Sequence, residues 1–276
     1  MTTGAETDVK RFPSLFVSHG APTLIIEDVP ARRFLMQLGK DLGTPQAIIV
    51  VSAHDIGRKP TVRTAAQLET LHDFGGFPRE LYQLEYTPPG DAALAADIAC
   101  ALAAAGIDHQ LSGDPALDHG AWVPLRLMYP DARIPVVPLS LEASLDAARH
   151  IGIGRAIAPL RSRGVLILTS GGLTHNLRDF TGSGASAPAL PYVAPFAEWM
   201  DATLGRGDAR ALADWQNAAP NARRAHPAAD HLMPLFVGFG AGGATSRGRR
   251  LHASVTHGML AMNAYAFESD GDAADR

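Results

Sequence analysis

The sequence is poor in cysteine: Cys100 stands alone among 276 residues. A single thiol builds neither an internal disulfide framework nor a cysteine-rich zinc module. Its neighbours Ala99, Ala101 and Ala103 predict that it is buried as a small hydrophobe. Long apolar runs are missing as well. No stretch approaches the roughly 18 consecutive apolar residues of a membrane span, and the first residues lack the apolar segment of a secretory leader. The expected compartment is the cytoplasm, with the thiol reduced. Neither sign of charge dominates: 24 Lys and Arg face 28 Asp and Glu, a net charge of −4. That balance points to neither nucleic acid nor an anionic membrane as partner. The phosphate loop, the nucleophile elbow and the HExxH zinc motif are absent. Gly238, Gly240 and Gly243 have the spacing of a dinucleotide fingerprint, but they follow a predicted helix rather than a strand, so that reading fails.

What is present is a globular composition, 46% hydrophobic and 19% charged, long enough to bury a core without staples. Short apolar runs at 14–18, 46–52, 134–139 and 165–170 read as buried strands, with a further strand at 61–65. Helical patterns cover 30–42, 91–105, 145–161, 195–204, 208–217 and 227–239. Residues 240–250 read as a Gly/Arg loop with solvated Arg247, Arg249 and Arg250, and 252–267 as two strands or a hairpin. Alternating strands and helices predict an α/β fold with a largely parallel sheet. No linker divides the chain. One domain over 12–268 is expected, with frayed termini at 1–11 and 269–276.

Eleven histidines beside one cysteine make imidazole the expected ligand if a transition metal is bound. Three predicted strands run into a histidine. SLFVS leads to His19, QAIIVVS to Ala53 and His54, and VLILTS through Gly171 and Gly172 to His175. Open α/β sheets bind ligands outside the carboxyl ends of their strands, so parallel neighbours would bring these imidazoles together. The Gly-Gly turn predicts a flexible approach for His175. Pro227 fits the first position of a helix, which puts His226 at its N-cap and His231 in its second turn, facing inward. The five-residue spacing places the two about 140° apart, so they make poor joint ligands. Asp118 and His119 precede a helical stretch, where Asp118 is either an N-cap or the group that orients an imidazole. His72 lies on a Gly/Pro loop with two aromatics that would suit a pocket for a ring. His109, His150, His252 and His257 read as surface or packing residues.

Six blocks in order, PheValSerHisGlyAlaPro (16–22), IleValValSerAlaHis (49–54), HisAspPheGlyGlyPhePro (72–78), AspHisGlyAlaTrp (118–122), ThrHisAsnLeu (174–177) and HisProAlaAlaAspHisLeuMetProLeu (226–235), resemble the DOPA-4,5-dioxygenase-like class III extradiol dioxygenases, relatives of the protocatechuate 4,5-dioxygenase catalytic subunit. The resemblance implies a mixed central sheet, one non-haem metal and cleavage of a catechol ring beside its two hydroxyls, with a small aromatic diol and O2 as reactants. By position it implies His19, His54 and His231 as metal ligands, His175 as acid/base and His119 as a second active-site histidine. Asp55 stands where this family usually has an aromatic residue, and Ala121 where a small hydroxyl residue is common. Fe2+ is the expected catalytic metal, with Zn2+ a possible occupant, since three histidines with an open position suit either. Two other readings use the same histidines: a zinc hydrolase with His175 as proton shuttle, and a binder of metal or aromatic ligand without catalysis.

Overall fold

The computed structural model describes residues 9–182 and 184–269, so the expected frayed ends at 1–8 and 270–276 lie outside the described residues. Six strands form the main sheet: β1 (Ser14–Ser18), β2 (Ala47–Ser52), β3 (Val136–Pro138), β4 (Val165–Gly171), β5 (Arg247–His252) and β6 (Ala264–Glu268). Their order is β5-β6-β1-β4-β2-β3. β1, β4, β2 and β3 are parallel, and β6 and β5 extend the sheet antiparallel. The α/β architecture with a mixed, largely parallel sheet is therefore the one the sequence predicts. β1, β4 and β2 are neighbours, so the loops after all three open on one edge.

Successive residues of the strands serve opposite faces of the sheet. Phe16, Ile49, Val51 and Ile167 pack on one side, against α2 (Ala92–Ala104), α4 (Ala147–Ile157), α5 (Val193–Arg206) and α6 (Met233–Ala241). Leu15, Val17, Ile48, Val50 and Leu168 pack on the other, against α1 (Pro30–Leu42) and α3 (His119–Met128). Burial on both faces explains why these strands are continuous apolar runs. Of the glycines that imitate a nucleotide motif, Gly240 serves helix packing, and Gly238 faces Thr169 and Phe267 of the sheet. A Cβ on Gly240 would lie 2.1 Å from the Ile151 carbonyl oxygen, and one on Gly154 would lie 2.0 Å from that of Val237. α4 and α6 touch through their backbones.

Several expectations are corrected. Cys100 is exposed. The buried stripe of α2 is Leu94, Ala95, Ile98 and Leu102, and a residue two positions past Ile98 lies about 200° around the helix from it. The helix expected at 145–161 begins after Leu145, whose φ of 48° is left-handed. Asp146 caps it, and it tightens beyond Ile157 into a 3-10 turn containing Pro159. The helix expected at 208–217 breaks at Asp214, and Trp215 turns into the core. Residues 247–252 are strand rather than loop, because they pair with β6, although Arg247, Arg249 and Arg250 are exposed as expected.

The helix expected at 227–239 is α6, and it starts only at Met233. His226 closes a short helix, Ala222–Ala225, instead of opening a long one, and His231 lies in the 3-10 turn Asp230–Leu232. Tertiary hydrogen bonds explain the difference. The Ala225 carbonyl accepts from the His175 backbone N–H at 2.9 Å, and the His231 carbonyl accepts from Gly172 N–H at 2.8 Å. The segment is stretched between two partners in the β4 loop, which a helix begun at Pro227 would not reach.

Candidate metal centre

His19 leaves β1 with its backbone N–H on the Gly171 carbonyl at 2.9 Å, and Ala53, before His54, donates to the Ser170 carbonyl at 3.0 Å. The parallel register thus fixes where both imidazoles start. His231 comes to the same edge from the turn before α6. One ligand atom from each of His19, His54 and His231 lies within 4.8 Å of the others. The ring centroids are 5.1 Å apart for His19 and His54, 5.5 Å for His19 and His231, and 4.8 Å for His54 and His231.

The Nδ1 atoms of all three face oxygen. His19 Nδ1 lies 3.0 Å from Ser170 Oγ, whose own hydrogen goes to the Gly120 carbonyl. The serine oxygen is therefore the acceptor, and His19 carries its proton on Nδ1. His231 Nδ1 donates to Asp230 Oδ2 at 3.0 Å. His54 Nδ1 faces Asp73 Oδ2 at 3.6 Å, an electrostatic contact beyond hydrogen-bond length. With its proton on Nδ1, His19 offers an Nε2 lone pair, and His54 Nε2–H donates to it at 3.2 Å. Two ring nitrogens this close suit a cation that both bind once the His54 proton moves to Nδ1, and oxygen partners on the far nitrogen are the usual support of a metal-binding histidine. Burial, followed by the neighbouring imidazoles, keeps His19 well below its ordinary pKa and lowers His54 to about 3. Both are neutral at pH 7, as metal ligands must be.

His175 stacks flat on His231, with centroids 3.5 Å apart and planes 5° apart. Its ring has no hydrogen-bond partner among the described residues. Burial and then His231 lower its pKa to about 3, so it is neutral at pH 7. The flexible approach expected from Gly171 and Gly172 is not observed. Gly171 ends β4, and Gly172 and His175 are both tied by backbone hydrogen bonds. His119 opens α3, 4.1 Å from His54 and 5.5 Å from His19 by ring centroids. Its neighbour Asp118 caps α3 by accepting from Ala121 N–H at 3.2 Å. Asp118 also accepts from Ser52, and burial raises it to about 6. The group that holds the His119 ring is Asp73, through Nδ1 at 2.9 Å.

The structure thus gathers His19, His54, His119, His175 and His231, and leaves His226 outside the group. His226 Nε2–H donates to the Leu173 carbonyl at 2.9 Å. His72 does likewise to Leu84 at 3.0 Å. His150 is buried between α4 and the preceding loop, donating from Nδ1 to Asp146 at 2.7 Å, and His252 stacks on Phe34. Asp55, in the unusual position after His54, pairs with Arg63 at 2.7 Å. Sequence reading missed Asp73, Asp230, Ser170 and Gly120. A Cβ on Gly120 would lie 2.5 Å from Ser52 Oγ, 2.9 Å from His54 Cδ2 and 3.0 Å from His19 Cε1. Asp73 and Asp230 each adjoin a histidine of interest in the chain, which is the one sequence signal they give.

Fold and site together define an α/β protein with a candidate three-histidine metal centre outside the carboxyl ends of its parallel strands. Residues 14–267 match the family described as the catalytic LigB subunit of aromatic ring-opening dioxygenase. A 4,5-DOPA dioxygenase extradiol from Beta vulgaris is 38% identical over 270 residues, covering 96% of this chain and 99% of the relative. One from Escherichia coli K12 is 39% identical over 236 residues, covering 84% and 85%. A crystal structure of an uncharacterized protein from Escherichia coli K12 superposes with a TM-score of 0.77 at 32% identity, covering 93% of this chain and 99% of that one. The chain belongs to this family and is an extradiol aromatic ring-opening dioxygenase, with an aromatic substrate and O2 as reactants. That sets aside the hydrolase and the non-catalytic binder. Among the described residues no helix is long and apolar enough to cross a membrane.

Proposed function

We propose that this enzyme opens a DOPA-like catechol beside its two hydroxyls, at a metal held by His19, His54 and His231, with Fe2+ as the catalytic ion and Zn2+ as a competing occupant. The observation that carries the reading is the convergence of three histidines, each with Nδ1 facing an oxygen and one ring nitrogen within 4.8 Å of the others. A divalent ion held by His19, His54 and His231 would supply Lewis-acid charge to lower the pKa of a catechol hydroxyl and the redox chemistry for O2.

The chain's own residues do the rest. His175, neutral and without a hydrogen-bond partner on its ring among the described residues, takes the proton of a substrate hydroxyl at a ring nitrogen and returns it later as an acid. His119, held from behind by Asp73, presents its Nε2 lone pair as an acceptor for a protonated oxygen of the substrate. Phe74 meets the His119 ring edge-on at 5.6 Å, and its contacts with Phe77 and Tyr82 supply an apolar, aromatic wall beside the histidines. The DOPA-like substrate is favoured by relatives named for that activity at 34–39% identity. The test is anaerobic reconstitution with Fe2+, then a panel of catechols with oxygen uptake and product absorbance recorded. Extradiol product from DOPA ahead of protocatechuate-like acids supports the reading. Oxygen uptake only with other catechols would remove the DOPA assignment, and none with any catechol would remove the site assignment.

A further inference from the structure

Asp73 faces two histidines of the site at once. Its Oδ1 accepts both the backbone N–H and the Nδ1–H of His119, each at 2.9 Å. Its Oδ2 faces His54 Nδ1 at 3.6 Å. The segment that carries it is fixed without the carboxylate. Leu71 N–H donates to the Leu117 carbonyl at 2.8 Å, Trp122 Nε1–H donates to the Leu71 carbonyl at 3.0 Å, and His72 Nε2–H donates to the Leu84 carbonyl at 3.0 Å. The carboxylate is therefore aimed by its backbone and in turn aims the imidazoles. A carboxylate only accepts, so it selects the Nδ1–H form of His119, and its charge favours a proton on the facing Nδ1 of His54.

We propose that Asp73 is a positioning residue that links metal binding to catalysis, by placing negative charge 3.6 Å from Nδ1 of ligand His54 with one oxygen and holding the ring of His119 with the other. The inference rests on the metal-ligand reading of His54 given above. Both groups answer to one side chain, so disturbing it lowers metal affinity and turnover together, although it touches neither substrate nor metal.

The test compares Asp73→Asn, Asp73→Glu, His119→Gln and the Asp73→Asn/His119→Gln double variant. Zinc affinity is measured by chelator competition, and kcat and KM are measured on the Fe2+ enzyme with a catechol. Asp73→Asn keeps an acceptor oxygen but loses the charge. Its expected result is one zinc per chain bound about 10- to 100-fold more weakly, the usual effect of losing an outer partner of a metal-binding histidine. Its kcat falls while KM stays near the parent value. Asp73→Glu restores charge one methylene further out and recovers part of the zinc affinity. The double variant has about the kcat of the worse single variant, because both changes break one unit. Parent zinc affinity in Asp73→Asn, or losses of kcat that multiply in the double variant, overturns the proposal. A metal-free Asp73→Asn protein also overturns it, by making Asp73 a ligand. His54→Ala is the control: if that variant keeps its zinc, the failure belongs to the ligand reading and not to the link through Asp73.

Discussion

His175 lies against His231 as one flat ring on another, 3.5 Å apart and 5° from parallel. One of these imidazoles has its Nδ1 bound to Asp230, and the other has no hydrogen-bond partner on its ring among the described residues. Identical side chains in contact are thus given different work by their surroundings.

That contrast underlies the proposed division into ligand and proton carrier. His175→Ala is expected to keep its metal and bind a catechol while losing ring cleavage by about 10² or more. His175→Phe keeps a ring on His231 and should lose turnover to the same extent, which rules out stacking as the cause. His231→Ala, His19→Ala and His54→Ala should lose metal and activity together, and His226→Ala should keep its metal. Metal analysis and turnover on the purified variants check this, and a metal-free His175→Ala protein would make His175 a fourth ligand.

Gly120 is where α3 presses on the site. A methyl group there meets Ser52, His54 and His19 at 3.0 Å or less. Gly120→Ala is expected to cost about 1–3 kcal/mol of stability by overpacking and to weaken zinc binding, because the neighbours that must yield include two of the proposed ligands. Urea denaturation and zinc competition measure the two effects. Unchanged zinc affinity would show that the histidines shift without consequence.

Acid should destabilise the metal-free protein through its buried neutral histidines. Burial lowers His226 to about 4 and also lowers His19, His54 and His175. A lowered folded-state pKa means that the unfolded chain takes up more protons below pH ~6.5, so this stability is complete above that value and is lost as pH falls toward 4. For His226 the shift from 6.5 to about 4 corresponds to about 3 kcal/mol. Asp118, raised to about 6, acts in the opposite sense and offsets part of the loss, since its folded form gains a proton first. Urea midpoints at about pH 7.5 and 4.5 should fall with acid in the chelated parent and fall less in His226→Phe. Equal falls would exclude His226 as a contributor.

Cys100 is exposed on α2, away from the histidine cluster. The native protein should titrate one thiol rapidly with a chromogenic disulfide, and Cys100→Ser should leave metal content and turnover unchanged. A thiol that reacts only after denaturation would contradict its exposure.

Much of this was legible in the chain. β1, β2 and β4 were readable because strands covered on both faces must be apolar throughout, and helix α1 begins at Pro30 and ends at Leu42 as its pattern predicts. The histidines after those strands followed from the same reasoning. Less legible were features set by partners distant in sequence. The stretch around His226 has the local signals of a helix start, yet hydrogen bonds from Gly172 and His175 hold it open. Asp118 and Asp73 are both acidic and both close to His119, and only the path of the 71–73 segment decides that Asp73 holds the ring while Asp118 caps the helix.

The sequence by itself determined the buried strands β1, β2 and β4 and the histidines that follow them, because periodicity and burial act over a few residues. Tertiary structure alone decided which nitrogen of each imidazole is free. That depends on Ser170 of β4, Asp230 of the turn before α6 and Asp73 of the 71–73 segment facing the opposite nitrogen. A hydrogen bond is a matter of ångströms and angles between atoms, and for two of these three pairs the partners lie far apart in the chain.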